Sequence, residues 1–188
     1  MNWKNTTDRY GSLSIAMHWL MLLLLIGVYA CINLREAFPR GSDLREGLKM
    51  WHFMLGLAVF ALVFLRMAIR LAGASPRIQP EPGAWQTRLA GLMHLALYVF
   101  MIAMPLLGWL TLSAAGKPIP FFGLHLPALL GVDKALAGSL EGIHETIGTI
   151  GYYLIGLHAV AALFHHYVVR DNTLLRMLPR RKRPVRAD

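Results

Sequence analysis

The fold class that this sequence predicts is all-α: an integral membrane bundle of four helices with both termini cytoplasmic. Three observations predict it. Of the 188 residues, 56% are hydrophobic and 15% charged, and a mean hydropathy of +0.47 is too apolar for an ordinary soluble domain. Four apolar stretches each reach the roughly 20 residues that cross a bilayer as a helix. The basic residues concentrate at the ends of these stretches on one face, which holds 13 of the 19.

The first span covers about 13–34. It is too long for the apolar region of a signal peptide, contains His18 and Trp19, and runs out at Tyr29-Ala30-Cys31-Ile32 without a good small-residue cleavage pattern, so the reading keeps it attached. A polar connection follows, with a turn at Pro39-Arg40-Gly41-Ser42. The second span, about 48–72, runs on through Arg66 and Arg70. Pro76, Pro80 and Pro82 then forbid a continuous helix and predict a short loop. The third span, about 89–112, contains Pro105, which predicts a kink.

The long connection 113–142 holds "GKPIPFFGLHLPALLG", apolar but broken by prolines. It is expected in the outer membrane interface as short helical pieces. The fourth span covers about 143–169. In the tail, 170–188, Asp171-Asn172 predicts a cap for a brief helix from Thr173 to Leu178, ended by Pro179 and followed by a basic run. The whole chain, 1–188, reads as a single membrane domain. Trp3, Trp19, Trp51, Trp85 and Trp109 mostly fall near span ends, as an aromatic belt requires.

Lys4, Arg9, Arg66, Arg70, Arg77, Arg88 and the arginine-rich tail put the whole formal charge of +9 on the face that holds the termini. The positive-inside bias makes that face cytoplasmic. A pI near 10.2 does not imply nucleic acid, because these cations sit beside helix ends, where anionic lipid headgroups account for them.

Of the eight histidines, His18, His52, His94, His144, His158, His165 and His166 lie in or at the end of a span; His125 is in the long outer connection. A polar group at membrane depth is costly and needs a partner, so each is a candidate functional residue. His144 and His158 are 14 residues apart, which brings them within about 40° of one helix face and separates them by roughly 21 Å along the axis. One helix thus offers an imidazole near each membrane surface. Gly148 and Gly151 lie on the stripe between them, and Gly56 follows His52 by four; they allow either a flat group or another helix to approach the backbone.

His52 begins the second span at the outer side, level with His144. His18 and His94 lie about one and a half turns into the first and third spans from the cytoplasmic side, level with His158. Two facing imidazoles in a helical bundle are what a b-type haem needs, without a covalent tether. No Cys-x-x-Cys-His is present, and Cys31 is the sole cysteine, so covalent haem attachment and an internal disulfide are both excluded. The outer pair reads as His52 with His144. The inner pair reads as His158 with either His18 or His94, and spacing leaves that choice open. Two such sites across a membrane point to electron transfer between its faces.

"IAMHWLMLLLLIGVYA", "KMWHFMLGL", "LMHLALYVFMIAMPLLG" and above all "IHETIGTIGYYLIGLHAVAALFHHYVVRDNTLLRMLP" resemble the bacterial di-haem cytochrome b561 family, in particular its membrane-bound superoxide oxidases. The resemblance covers about residues 9–180. It implies a four-helix bundle in the bacterial inner membrane with two haem b groups, His18 and His158 binding the inner iron and His52 and His144 the outer. It implies oxidation of superoxide to oxygen at the outer side and electron delivery to ubiquinone. His94, His165, Arg66 and Arg70 become candidate quinone or propionate contacts. Lys49, Lys117 and Lys134 become candidates for attracting the superoxide anion, set against ordinary solvated surface charge.

Besides lipid, quinone and superoxide, a protein partner is compatible with the chain but not required. The alternative function is a non-catalytic electron-carrier subunit for a periplasmic dehydrogenase or hydrogenase. A histidine-rich metal or haem transporter fits less well, since paired intramembrane carboxylates and broken midplane helices are not evident.

Overall fold

The fold is described here from a computed structural model, which describes residues 3–179; the basic stretch 180–188 lies outside the described residues. Four long helices dominate: α1 (Ser12–Leu34), α2 (Asp43–Leu71), α3 (Ala84–Ala114) and α4 (Lys134–Phe164). A 3-10 turn at Arg35–Ala37 closes α1, and α4 runs on into a π-helical turn, His165–Val169. All four helices are long and apolar enough to cross a membrane. At about 1.5 Å per residue they span roughly 34–46 Å, more than the hydrocarbon core alone.

The surplus length lies at starts that apolarity does not reveal. Ser42 accepts a hydrogen bond from the Arg45 N–H at 3.4 Å, with Asp43 and Glu46 in the first turn, so α2 begins amid charged residues before the apolar run. Asp133 likewise accepts from the N–H groups of Ala135 and Leu136, each at 3.0 Å, and starts α4 nine residues before position 143. Gln86 accepts from the Gly83 N–H at 2.9 Å at the head of α3.

Consecutive helices pack against one another, α1 on α2, α2 on α3 and α3 on α4. Met21, Val59, Val63, Phe100 and Met101 form the mid-bundle core. The α1–α4 seam is joined by polar bonds instead: Tyr29 donates to the Gly148 carbonyl at 2.7 Å, and the Asn33 amide donates to the Tyr152 hydroxyl at 2.6 Å. Outward faces carry exposed Leu23, Leu92 and Val160, which water would penalise and lipid accepts.

The connection after α3 departs from the expected helical pieces. It forms an antiparallel hairpin, β1 (Ile119–Phe121) with β2 (Leu124–Leu126), in register Ile119↔Leu126. Phe122 and Gly123 make the turn with φ of 46° and 87°, the positive values a two-residue hairpin needs. Pro118, Pro120 and Pro127 bar a helix, whereas Pro120 costs little in a two-stranded ladder with open edges. Ile119 plugs onto Leu57 and Leu112, and Trp109 ties the segment down by donating to the Pro127 carbonyl at 2.9 Å.

The tail also differs from expectation. In place of a helix from Thr173 to Leu178 there is one 3-10 turn, Leu175–Met177, within a strap across the end of the bundle that carries the termini. Trp19 donates to the Met177 carbonyl and Arg9 to the Leu178 carbonyl, both at 2.8 Å, which pins the strap to α1 and the segment before it. Arg176, expected among headgroup-facing cations, is buried instead and donates to the Pro76 carbonyl.

Candidate functional site

Two histidine levels sit in the bundle. At the end opposite the termini, His52 of α2 and His144 of α4 face each other with ring centroids 6.2 Å apart and planes at 78°. His52 Nδ1 lies 3.0 Å from the Val28 carbonyl. A carbonyl only accepts, so Nδ1 carries the hydrogen and Nε2 keeps its lone pair, the arrangement typical of a metal-binding imidazole. His144 Nδ1 is buried and turned toward Gly108 of α3.

Two imidazoles on opposite sides of one metal ion have predictable spacing. Metal–nitrogen bonds of about 2 Å and ring centres about 1.1 Å behind each nitrogen would give roughly 6.2 Å between centroids. Edge-to-face aromatic pairs cover the same range, so distance alone does not decide. The space beside the rings does: a cavity of about 480 Å³ opens there, lined by His52, His144, Tyr29, Gly56, Gly108 and Gly148. A side chain on Gly56 would meet nothing within 4 Å, so that glycine borders open space rather than a packed helix. Gly151 is the opposite case. A side chain there would collide with Phe100 and Tyr29, so close packing explains it. The glycines near the histidines, Gly56 and Gly151, thus divide between the two uses the sequence allowed.

At the other level His158 of α4 has two neighbours, His18 of α1 at 6.4 Å and His94 of α3 at 5.7 Å between centroids. Arg66 of α2 places Nη2 3.1 Å from His18 Nδ1. Arginine only donates, so in this arrangement Nδ1 accepts and the hydrogen lies on Nε2. A metal at Nε2 requires the reverse tautomer, which frees Arg66 from the ring. Among the described residues, no three or more His, Cys, Asp or Glu side chains gather as a site for a bare metal ion. Paired imidazoles suit a metal that brings its own equatorial ligands, as haem does.

His165, in the π turn, is hydrogen-bonded through Nδ1 to Asp171 Oδ2 at 2.5 Å. His166 stacks edge-on with Tyr167 at 4.7 Å, and His125 lies exposed in the hairpin opposite Pro120. Of the candidate cations, Lys49 and Lys117 line the cavity; Lys134 does not, sitting at the first turn of α4. Arg70 is exposed near the end of α2.

Four contributors escaped the sequence reading. Arg35 borders the cavity beside Lys49 and Lys117, its Nε 3.0 Å from Glu36, a carboxylate also held by Arg45. Tyr29 and Tyr152 stack at 4.2 Å along the same wall. Asp171 is 3% exposed. Burial would raise its carboxyl pKa, but the hydrogen bonds from His165 and Thr173 outweigh it and hold the carboxyl below the usual aspartate value. Arg35 closing an apolar helix and Asp171 at the head of a basic tail were the available signals.

The family model described as prokaryotic cytochrome b561 matches residues 9–180. "Cytochrome b561 homolog 1" of Escherichia coli K12 is 41% identical over 175 residues, covering 93% of this chain and 99% of that protein. "Probable superoxide oxidase CybB" of Yersinia pestis is 39% identical, covering 93% and 98%. "Cytochrome b562" of Cereibacter sphaeroides is 30% identical, covering 90% and 94%. With four membrane-length helices and imidazoles facing each other inside them, the chain belongs to the prokaryotic cytochrome b561 family: it is a multi-pass bacterial membrane protein that binds haem b and transfers electrons.

Proposed function

We propose that this chain carries two haem b groups, oxidises superoxide to oxygen at the end opposite the termini, and passes the electrons to ubiquinone near the termini. The observation that carries it is the pair of imidazole couples at two depths, His52–His144 at 6.2 Å and His18–His158 at 6.4 Å. The 5.7 Å of His94–His158 is shorter than the roughly 6.2 Å that two rings across one metal would take. That supports His18 as the second inner ligand and leaves His94 beside the site. Bound haem supplies reversible one-electron transfer.

The residues supply the rest. Val28 fixes the His52 tautomer. Arg66, once off His18, is placed to pair with a propionate, and Arg70 one turn on, nearer the helix end, is the second candidate. Lys49 and Lys117, with Arg35, offer positive charge at the cavity, which raises the encounter rate of a small anion. Glu141 and Glu145 line the same cavity, so attraction is local rather than a property of the whole face. Superoxide leaves as oxygen without taking a proton, and no acid is needed there. Reduction of one quinone consumes two electrons from two superoxide anions and two protons, and the titratable groups His94 and His165 sit at the end where these are needed. With the positive face inward, the membrane is the inner membrane and that end is cytoplasmic. The Yersinia relative's name accords with this reading.

The test is the purified chain alone in detergent, given enzymatically generated superoxide and a soluble ubiquinone. Superoxide-dependent quinol formation, abolished by superoxide dismutase, is expected. A pigmented preparation that forms no quinol would contradict the activity and return the alternative, an electron carrier for a separate dehydrogenase or hydrogenase.

A further inference from the structure

α4 does not end as a regular helix. His165–Val169 is a π turn, Arg170 follows with φ of 60°, and the chain then doubles back so that the Asp171 N–H donates to the His165 carbonyl at 3.1 Å. Single π turns within helices often mark functional positions. The consequence is one specific contact, His165 Nδ1 to Asp171 Oδ2 at 2.5 Å, with a side-chain exposure of 23% for the histidine and 1% for the aspartate. The other carboxylate oxygen is fixed by the Thr173 N–H at 2.8 Å. Among the described residues His165 Nε2 has no hydrogen-bond partner.

We propose that Asp171 is a positioning residue for quinone reduction: it holds the hydrogen of neutral His165 on Nδ1 and so reserves Nε2 for exchanging a proton with the quinone. The inference rests on the quinone reading above and adds to it the orienting carboxylate. When His165 is doubly protonated, the Nε2–H bond breaks as an O–H bond forms on a quinone oxygen, while two superoxide anions supply the electrons and become oxygen. Water supplies the second proton and then restores that on Nε2. In the reverse direction the free Nε2 accepts a proton from quinol. A buried carboxylate that orients an imidazole through Nδ1 and stabilises its charged form is a recurring catalytic device. The remaining charged groups nearby are Arg176, which acts on Asp171 and lies 5.8 Å from the Tyr10 ring, and His166 and Arg170 on the histidine's own segment.

The test pairs spectroscopy with kinetics on the full-length haem-loaded protein. In nitrogen-15 histidine spectra, wild-type His165, identified by its loss in H165Q, is expected as the neutral Nδ1–H tautomer. In D171N the amide can donate to Nδ1, and the hydrogen should move to Nε2. Quinone reduction in D171N should fall by about 10²-fold or more, the usual scale for a lost proton-transfer partner, with haem content unchanged and D171E partly restoring the rate. D171N at the wild-type rate with the wild-type tautomer would overturn the proposal. Should D171N lose its pigment, the wild-type spectrum still decides, since an Nε2–H tautomer of His165 there would overturn it alone. A wild-type chain that reduces no quinone, yet shows the Nδ1–H tautomer, would instead sink the quinone reading on which it stands.

Discussion

The ring of Phe100 occupies the space that a side chain on Gly151 would need. Gly151 is seven residues from both His144 and His158, so this contact divides the two histidine levels at mid-bundle. Gly151→Val should cost about 1–3 kcal/mol through overpacking, because Phe100 and Tyr29 would have to withdraw together. Thermal unfolding in detergent checks this. A melting temperature equal to wild type would show that the contact is not tight.

Gly56→Leu probes the opposite situation. The first added carbon meets nothing within 4 Å, and a leucine there extends into the outer cavity that Gly56 lines. The expected result is a folded protein that keeps the inner pigment and loses about half of its haem by the pyridine haemochrome assay.

Lysine substitutions should separate cavity charge from surface charge. Lys49→Ala and Lys117→Ala are expected to lower the rate of superoxide consumption several-fold at low ionic strength, with the difference shrinking as salt is added. Lys134→Ala, away from the cavity, should leave the rate unchanged.

How much of this was legible in the sequence depends on the scale at which each feature is written. The four spans are long apolar runs, so they stand out. The two histidine levels follow from helical periodicity, because His144 and His158 share one helix and His52 marks depth by its place at a span end. Helix starts were set by single capping residues, Ser42 and Asp133, whose signal is local and was overshadowed by hydropathy. The hairpin was missed because Ile119 and Phe121 read as interfacial apolar residues, and only the positive-φ pair Phe122-Gly123 distinguishes a turn there. The burial of Arg176 arises from a segment 100 residues away, in the contact with Pro76, and no local pattern encodes it.

Asp171 gives stability a defined pH dependence. Its folded-state carboxyl titrates below the ordinary value, so its contribution is present above the unfolded value, about 3.9, and is lost as pH falls through the lower folded one. Wild-type melting temperature should therefore drop more steeply than that of Asp171→Asn as pH falls below about 4. Parallel curves would place the effect elsewhere.

The central claim is that two haems are held by His18 with His158 and by His52 with His144. Haem-to-protein ratios in purified single variants test it most directly. The account predicts two haems per wild-type chain, about one in His18→Ala, His52→Ala and His144→Ala, and two in His94→Ala. Full pigment in His18→Ala together with loss in His94→Ala, or a single haem in the wild type, would contradict it.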